Sequence, residues 1–171
     1  MHLYNIMARL LDYPTGELLE NLSVIIEALK ADPEVSEQER EELMQFIAWI
    51  RLHDLIGIQS DYVQTFDMTP EHDLHLTHHL FGDDRGRGPA LIDLAEHYKA
   101  AGLEVDEGEI PDYLPLILEY ISTLDAMQAR IFLGDAGKVI KVLAENLEKA
   151  ESPYARLLRI IENRGHLAQA A

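Results

Sequence analysis

Apolar side chains recur at steps of three and four residues along most of this chain, whereas strict alternation of apolar and polar residues is scarce. The first period belongs to a helix with one apolar face, and the second belongs to a half-buried strand. The positions expected to face inward are Leu18, Leu19, Leu22, Ile25, Ile26, Leu29, Leu43, Phe46, Ile47, Ile50, Leu55, Ile58, Tyr62, Phe66, Leu91, Leu94, Ala95, Tyr98, Leu114, Ile117, Leu118, Ile121, Leu124, Val139, Val142, Leu143, Leu147, Leu157, Leu158 and Ile161. The pattern predicts an all-α fold.

Several helix starts are indicated by residues that cap a first turn. Ser36 and Glu39 have the spacing of a capping box, in which each side chain accepts a backbone N–H from the other residue. Thr15, Asp135 and the pair Ser152-Pro153 stand just before further apolar stripes, where short polar side chains satisfy first-turn N–H groups. Each of these positions therefore predicts a helix that begins directly after it.

Glycine and proline mark other helix boundaries. Gly102 is placed to end a helix in the left-handed conformation, and Gly165 is placed to follow the last helix. The pair Pro111-Asp112 predicts the start of another helix, with Asp112 as its N-cap. Pro115 is compatible with that helix because a first turn has no intrahelical partner for the missing N–H.

The helical pattern weakens in the middle of the chain. Residues 67–89 are rich in histidine, glycine and proline, which predicts a short helix and a long loop, and residues 104–109 form an acidic connector. No internal repeat, low-complexity tract or linker interrupts the sequence. We therefore expect one domain over residues 1–171, a bundle of roughly eight or nine helices.

The composition fits a globular protein, because 47% of the 171 residues are apolar and 26% are charged. The absence of cysteine excludes disulfides, thiolate metal sites and cysteine nucleophiles. The formal net charge of −17 favours cationic partners over nucleic acids or anionic membranes, although a solvated acidic surface that only maintains solubility is the alternative. The sequence shows neither a signal-peptide pattern nor a membrane-spanning apolar run, so we expect a cytoplasmic location.

The histidines of the central segment raise the question of a metal site. His72, His75 and His79 are spaced so that a continuous helix would align them on one face. Pro70 breaks that register, and no carboxylate stands at the spacing of a metalloprotease motif. We expect solvated or packed histidines and no tightly bound stoichiometric metal.

The glycine-rich stretch at residues 82–88 resembles a phosphate-binding loop only superficially. It lacks the lysine and hydroxyl residue that end a P-loop, and no predicted strand precedes it. Arg85 and Arg87 are suited to bind an anion or a partner's carboxylates, and equally to cap helices or to pair with Asp83 and Asp84. No serine has a nucleophile-elbow pattern and no carboxylate pair stands in an apolar setting, so we expect a protein that is not an enzyme.

Binding is the remaining class of function. Trp49, Met68, Phe81 and Phe132 lie at the margins of the apolar stripes. They are placed to line a groove for the apolar face of a partner helix, or to complete the core. Position in the sequence does not separate these two interpretations.

A series of short motifs runs along most of the chain. They are residues 11–14 (LDYP), 62–67 (YVQTFD), 74–76 (LHL), 79–82 (HLFG), 85–91 (RGRGPAL), 93–94, 98, 102–103, 109–116 (EIPDYLPL) and 119–120. In this order and spacing they resemble the respiratory nitrate reductase delta-subunit family, the molybdenum-cofactor assembly chaperones within the redox-enzyme maturation chaperone group. The resemblance is weakest over residues 20–52 and after residue 147. Tyr113 stands where related sequences often carry histidine, which puts any role of that imidazole in doubt here.

The resemblance implies an all-helical chaperone that acts on the cytoplasmic side of the membrane. It implies binding to the apo catalytic (alpha) subunit of nitrate reductase, including its N-terminal segment, possibly within an alpha-beta apo complex. It further implies support of molybdenum-cofactor insertion into that client and of membrane docking, with no tightly bound cofactor and no retention in the finished enzyme. A negatively charged helical domain without a catalytic constellation agrees with capture of an amphipathic, cation-bearing peptide.

We hypothesise that residues 66–91 and 109–119 border the partner-binding site, because the family motifs cluster there, the first segment is loop-like, and Glu109, Asp112 and Glu119 bring negative charge beside apolar side chains. The residues assigned to this site are Tyr62, Phe66, Asp67, His79, Phe81, Arg85, Arg87, Leu91, Tyr98, Glu109, Pro111, Asp112, Tyr113, Glu119 and Tyr120. Two other classes of protein stay open. One is a small metal- or anion-binding regulatory protein that uses residues 72–87, and the other is a structural subunit retained in a membrane complex.

Overall fold

The fold consists of helices of varied length that pack around one hydrophobic core. The computed structural model describes residues 2–81 and 85–169, and within them it contains eleven α-helices and no strand. The helices are α1 Leu3–Leu11, α2 Gly16–Glu20, α3 Leu22–Ala31, α4 Glu37–Arg51, α5 Leu55–Tyr62, α6 Leu76–Phe81, α7 Arg87–Ala100, α8 Leu114–Ile121, α9 Ala126–Asp135, α10 Gly137–Lys149 and α11 Ala155–Gln169. A π-helical turn, Val63–Asp67, extends α5, and a 3-10 turn, Pro70–His72, precedes α6. The all-α prediction is confirmed, with more helices than we expected.

Helix α1 lies in the interior of the bundle, although no apolar stripe predicted it. Its sequence is apolar on nearly every side, and seven of its nine residues are buried. It packs against α8, while α11 packs against α9 and α10. The polar residues of α1, Asn5 and Arg9, lie about one turn apart on a single face, and the rest of the helix is buried. The hydrophobic centre of the protein therefore includes the N-terminal helix.

The capping residues near the N-terminus behave as predicted. Thr15 Oγ1 accepts the backbone N–H of Leu18 at 3.2 Å at the start of α2. Ser36 and Glu39 form the complete capping box at the start of α4, with hydrogen bonds of 3.2 and 2.9 Å. Gly102 has φ +75° just after α7, the left-handed value that glycine adopts without steric cost.

The start of α10 was predicted wrongly, because α9 was not foreseen. Asp135 is the last residue of α9, and α10 begins at Gly137 after Ala136. The start of α9 carries a second capping box, in which the side chains of Asp125 and Gln128 each accept the other residue's N–H. Asp135 therefore does not cap a helix start.

Gly165 does not end the last helix either. It is buried inside α11, where that helix crosses α9 at close range. A Cβ atom at this position would stand 2.9 Å from the carbonyl oxygen of Leu133. This glycine is needed for a close approach of two helices, and the prediction of a helix end was wrong.

The predicted inward face of α7 is only partly buried. Tyr98 is its only buried residue, Leu91 and Leu94 are half-buried, and Ala95 is exposed. On α10, Val142 was also expected inside and is exposed. Helix α7 therefore lies at the margin of the bundle, with its main contact to α6. Across residues 2–81 and 85–169, no helix is long and apolar enough to cross a bilayer.

Candidate partner-binding site

Two motif segments, residues 73–77 and 109–113, lie side by side at the edge of the bundle, and we call this contact the motif junction. An isolated antiparallel bridge pairs His75 with Tyr113, and its two backbone N–H···O bonds are 3.2 and 2.9 Å long. Segments separated by more than thirty residues in the sequence are thereby fixed to each other at the entry to α6 and to α8.

Asp112 is fully buried at the motif junction. Its Oδ2 accepts hydrogen bonds from the backbone N–H of Thr77, at 2.9 Å, and from the Thr77 hydroxyl. Arg87 Nη2 lies 4.0 Å from the same oxygen, and Arg87 Nε donates to Thr77 Oγ1 at 3.0 Å. Asp112 therefore joins the first turns of α6 and α7. Tyr113 is the N-cap of α8, so the expectation that Asp112 caps that helix was wrong.

His75 connects the two motif segments through its side chain. Its Nδ1 lies 2.7 Å from Asp73 Oδ1, its Nε2 lies 3.5 Å from Glu109 Oε1, and its ring stacks on that of Tyr113. The hydrogen bond to Asp73 raises the pKa of His75, with further contributions from the charges of Asp73, Asp112 and Glu109, and partial burial opposes the shift. The protonated imidazole is therefore favoured between acidic neighbours.

The other two histidines of the central segment have separate partners. Both ring nitrogens of the buried His72 face backbone carbonyls, those of Thr65 at 2.9 Å and Asn146 at 3.3 Å. His79 Nε2 lies 2.6 Å from the carbonyl oxygen of Asp73. These histidines belong to a 3-10 turn and to α6, so no continuous helix aligns them. Within the described ranges, 2–81 and 85–169, no group of three or more His, Asp or Glu is arranged to hold a metal.

A chain of tyrosine hydroxyls extends the motif junction to the loop between α1 and α2. The hydroxyls of Tyr62 and Tyr113 are 2.5 Å apart. Tyr62 donates to the carbonyl of Leu11 at 2.8 Å, and Tyr113 lies 3.1 Å from Asp12 Oδ1. Burial raises the pKa of both phenols above the ordinary value, so both keep their protons. Residue 113 thus contacts both N-terminal and central motifs.

Helix α7 is attached to the rest of the protein near both of its ends. Arg87 makes the contacts to α6 described above, and the hydroxyl of Tyr98 donates to the carbonyl of Pro111 at 2.5 Å. The ring of Tyr98 also packs on Tyr120, with centroids 5.5 Å apart. Between these attachments Ile92 is 67% exposed, and apolar surface there is open to a partner.

The structure distributes the predicted site residues over three degrees of burial. Most cluster around the motif junction and α7, whereas Phe66 packs in the interior between the rings of Tyr62 and Tyr154. Buried members are Tyr62, Phe66, Tyr98, Asp112 and Tyr120; half-buried members are His79, Phe81, Arg87, Leu91, Glu109, Pro111 and Tyr113; exposed members are Asp67, Arg85 and Glu119. The buried members act through packing and internal hydrogen bonds, and only the others are accessible to a partner. The predicted pairing of Arg85 or Arg87 with Asp83 or Asp84 lies outside the described residues.

A large concave surface lies elsewhere, between α4 and the C-terminal helices. It is a groove of about 1110 Å³, bordered by Trp49 of α4 and spanned by the ion pair of Arg156 with Glu42, 2.5 Å long. Trp49 and Phe132 both pack on the core, whereas Met68 is 72% exposed, so the four marginal apolar residues do not share one groove. No sequence motif marked this groove, because its residues come from distant helices.

Residues 31–159 match the family model described as "Nitrate reductase delta subunit". The nitrate reductase molybdenum cofactor assembly chaperone NarJ of Escherichia coli (strain K12) is 32% identical over 156 residues, which cover 91% of this chain and 66% of that protein. The probable chaperone of the same description from Bacillus subtilis (strain 168) is 30% identical over 161 residues, covering 92% of this chain and 85% of that protein.

A second Escherichia coli (strain K12) protein, the probable nitrate reductase molybdenum cofactor assembly chaperone NarW, is 29% identical over 157 residues, covering 92% of this chain and 65% of that protein. The chain thus spans about two thirds of the length of its E. coli relatives. The family model, in turn, covers most of the chain. This protein belongs to the nitrate reductase delta subunit family.

Proposed function

We propose that this protein is an assembly chaperone for a respiratory nitrate reductase. It binds the apo catalytic subunit, including the N-terminal segment, and keeps it competent for insertion of the molybdenum cofactor. The observation that carries this proposal is the family match over residues 31–159, together with relatives that are named as molybdenum cofactor assembly chaperones. In this proposal the protein is not an enzyme, acts in the cytoplasm and is absent from the finished complex.

The surface beside the motif junction supports this role. Leu80 on α6 and Ile92 on α7 are more than half exposed, and Leu91 between them in sequence is half-buried. Glu109 at the motif junction and Glu119 on α8 add accessible carboxylates. An amphipathic client helix with a basic face matches this mixture, since apolar contacts supply most of the affinity and charges set orientation and association rate.

A deletion strain tests the proposed function directly. We expect nitrate reductase polypeptides to be made but to lack molybdenum and activity, and we expect both to return when the intact gene is restored. Molybdenum content of the purified client is the decisive measurement. Fully active enzyme in the deletion strain contradicts the proposal, and stoichiometric co-purification with mature enzyme identifies a retained subunit instead.

Titration of purified protein with a peptide from the N-terminus of the catalytic subunit tests the location of the site. Glu119→Lys is expected to weaken binding, and to do so more at low salt than at high salt, because salt screens exposed charges. Glu41→Lys changes the net charge equally at an exposed position on α4, outside the proposed site, and serves as the matched control. Equal affinities for both variants, with unchanged melting temperatures, would remove Glu119 from the site.

A further inference from the structure

The loop between α1 and α2 carries an exposed acidic and aromatic pair beside the motif junction. Asp12 is exposed, and its Oδ1 accepts the backbone N–H of Tyr13 at 2.8 Å. Tyr13 is 44% exposed, and its ring packs edge-on against Tyr62 with centroids 5.7 Å apart. Both residues line a cavity of about 210 Å³, together with Arg9 and Glu17. A carboxylate beside an aromatic ring is a chemically suitable place for a cationic side chain.

The hydroxyl chain that reaches this loop has fewer protons than hydrogen-bond contacts. The hydroxyls of Tyr62 and Tyr113 together supply two protons. Three contacts compete for them: Tyr62 with the carbonyl of Leu11 at 2.8 Å, Tyr62 with Tyr113 at 2.5 Å, and Tyr113 with Asp12 at 3.1 Å. One of the three contacts therefore has no proton at any moment.

The lengths of these contacts indicate which acceptor receives the weakest hydrogen bond. When Tyr62 donates to Leu11, the single proton of Tyr113 is shared between Tyr62 at 2.5 Å and Asp12 at 3.1 Å, and the shorter contact holds the larger share. Asp12, which has the longest of the three contacts, is then held by the N–H of Tyr13 and more weakly by the Tyr113 hydroxyl. The other acceptor sites of this exposed carboxylate face solvent, where a charged donor from outside can bind.

The charged residues around Asp12 are predominantly acidic. Glu119 on α8 faces Asp12 and Asp106, and Arg9 on α1 is the cation that opposes them. Partial burial raises the pKa of Glu119, and the charges of Asp12 and Asp106 raise it further. Negative charge is therefore crowded where the loop meets α8, which favours a cationic ligand over an anionic one.

We infer that Asp12 is a specificity-determining contact for a lysine or arginine side chain of the client, and that Tyr113 is the residue that positions it. This inference rests on the proposed function and extends the client site from the motif junction to the α1–α2 loop. Tyr113 acts through two contacts, because its hydroxyl meets both Asp12 and Tyr62 while its ring stacks on His75. A cation bound at Asp12 leaves the Tyr113 proton to Tyr62.

Titration of the full chain with the N-terminal peptide of the catalytic subunit tests this inference. Asp12→Asn is expected to weaken binding about five- to tenfold at low salt, the effect of losing one charge-assisted contact, and less at high salt. Asp135→Asn removes the same charge from an exposed position at the end of α9 and is expected to leave affinity unchanged. Replacing each Lys or Arg of the peptide by Gln in turn is expected to reveal one position at which Asp12→Asn has no further effect.

A second variant separates positioning from stability. Tyr113→Phe keeps the ring and removes only the hydroxyl, and it is expected to weaken peptide binding about two- to threefold. In the Asp12→Asn background the same change is expected to have no effect on affinity, an outcome that a merely structural role would not produce. Normal peptide binding by Asp12→Asn at low salt overturns the inference and leaves the proposed function intact. Absence of peptide binding by the unaltered protein overturns both.

Discussion

The bundle core and the marginal helices α6 and α7 are stabilised differently. Leu118 of α8 and Leu143 of α10 are fully buried, whereas Leu91 of α7 is half-buried and Leu80 of α6 is 57% exposed. The core is stabilised by apolar burial, whereas α6 and α7 combine a few buried apolar side chains, such as Leu76, with the polar contacts at Thr77, Arg87 and Tyr98 described above. Apolar side chains that are not buried in the core remain available for a partner.

This difference explains why a binding surface and a stable fold coexist in one small domain. Burial of apolar area stabilises the fold without imposing a particular orientation on the side chains. Hydrogen bonds are directional, so they fix the position of a helix without covering its apolar surface. Helices held by hydrogen bonds can expose apolar side chains to solvent with little loss of stability in the rest of the structure. Such elements are expected to open locally before the core does.

The largest expected effect comes from core truncation. Leu118→Ala is expected to lower the free energy of unfolding by about 2–5 kcal/mol, because α8 packs on α1 and the lost side chain leaves a cavity. Leu91→Ala, the matched change on α7, is expected to cost less than about 1 kcal/mol. Urea unfolding of both variants measures the contrast, and equal losses would show that α7 belongs to the core.

The two regions are also expected to differ at their glycines. Gly165→Ala places a Cβ against the backbone of Leu133 where α11 crosses α9, and is expected to destabilise the protein by about 1–3 kcal/mol. Gly88→Ala, in the first turn of α7, meets open space and is expected to stabilise by up to about 1 kcal/mol. Thermal unfolding of the pair checks the opposite signs. A neutral Gly165→Ala variant would mean that the two helices separate easily.

Removal of the buried carboxylate tests whether polar contacts hold the marginal helices. Asp112→Ala leaves the N–H and hydroxyl of Thr77 without their acceptor, and is expected to cost about 1–2 kcal/mol. Hydrogen exchange is expected to quicken in α6 and the start of α7 and to stay slow in α1 and α8. Uniform acceleration over all four helices would contradict a local role for Asp112.

The smallest expected effect is a pH dependence at the motif junction. The pKa of His75 is raised, chiefly by its hydrogen bond to Asp73, so its contribution to stability is complete below the ordinary pKa of about 6.5 and is lost as pH rises through the raised value. The stability difference between the natural protein and His75→Gln is therefore expected to shrink with rising pH. His97→Gln, at a half-exposed histidine of α7, is the control.

Asp73, in the same segment as His75, sets the lower pH limit of this contribution to stability. Burial opposes ionisation of Asp73, but the hydrogen bonds and charge of His75 outweigh it and lower the pKa of this carboxyl. Its contribution is present above the ordinary pKa of about 3.9 and is lost as pH falls through the lowered value. Urea midpoints measured from acid to alkaline pH check both limits. A His75→Gln difference that is constant across this range would contradict the ion-pair contribution.

The sequence by itself determined the helical class, several helix starts and the family. Ser36 and Glu39 lie three residues apart, so the capping box depends only on local geometry and is present as predicted. The order of motifs along the chain likewise does not depend on packing, and the family that it indicated is confirmed by the match over residues 31–159. Local hydrogen bonding and motif order are properties of the chain before it folds.

Only the tertiary structure decided which of these residues are accessible and which are internal. Asp112 looked like a helix cap because it precedes α8, but its carboxylate turns to Thr77 across a contact that no local spacing encodes. Gly165 looked like a helix end because the close approach of α9 cannot be seen from α11 alone. Periodicity indicates that a helix has an apolar face, whereas burial of that face depends on whether another element covers it. On α7 that covering is incomplete.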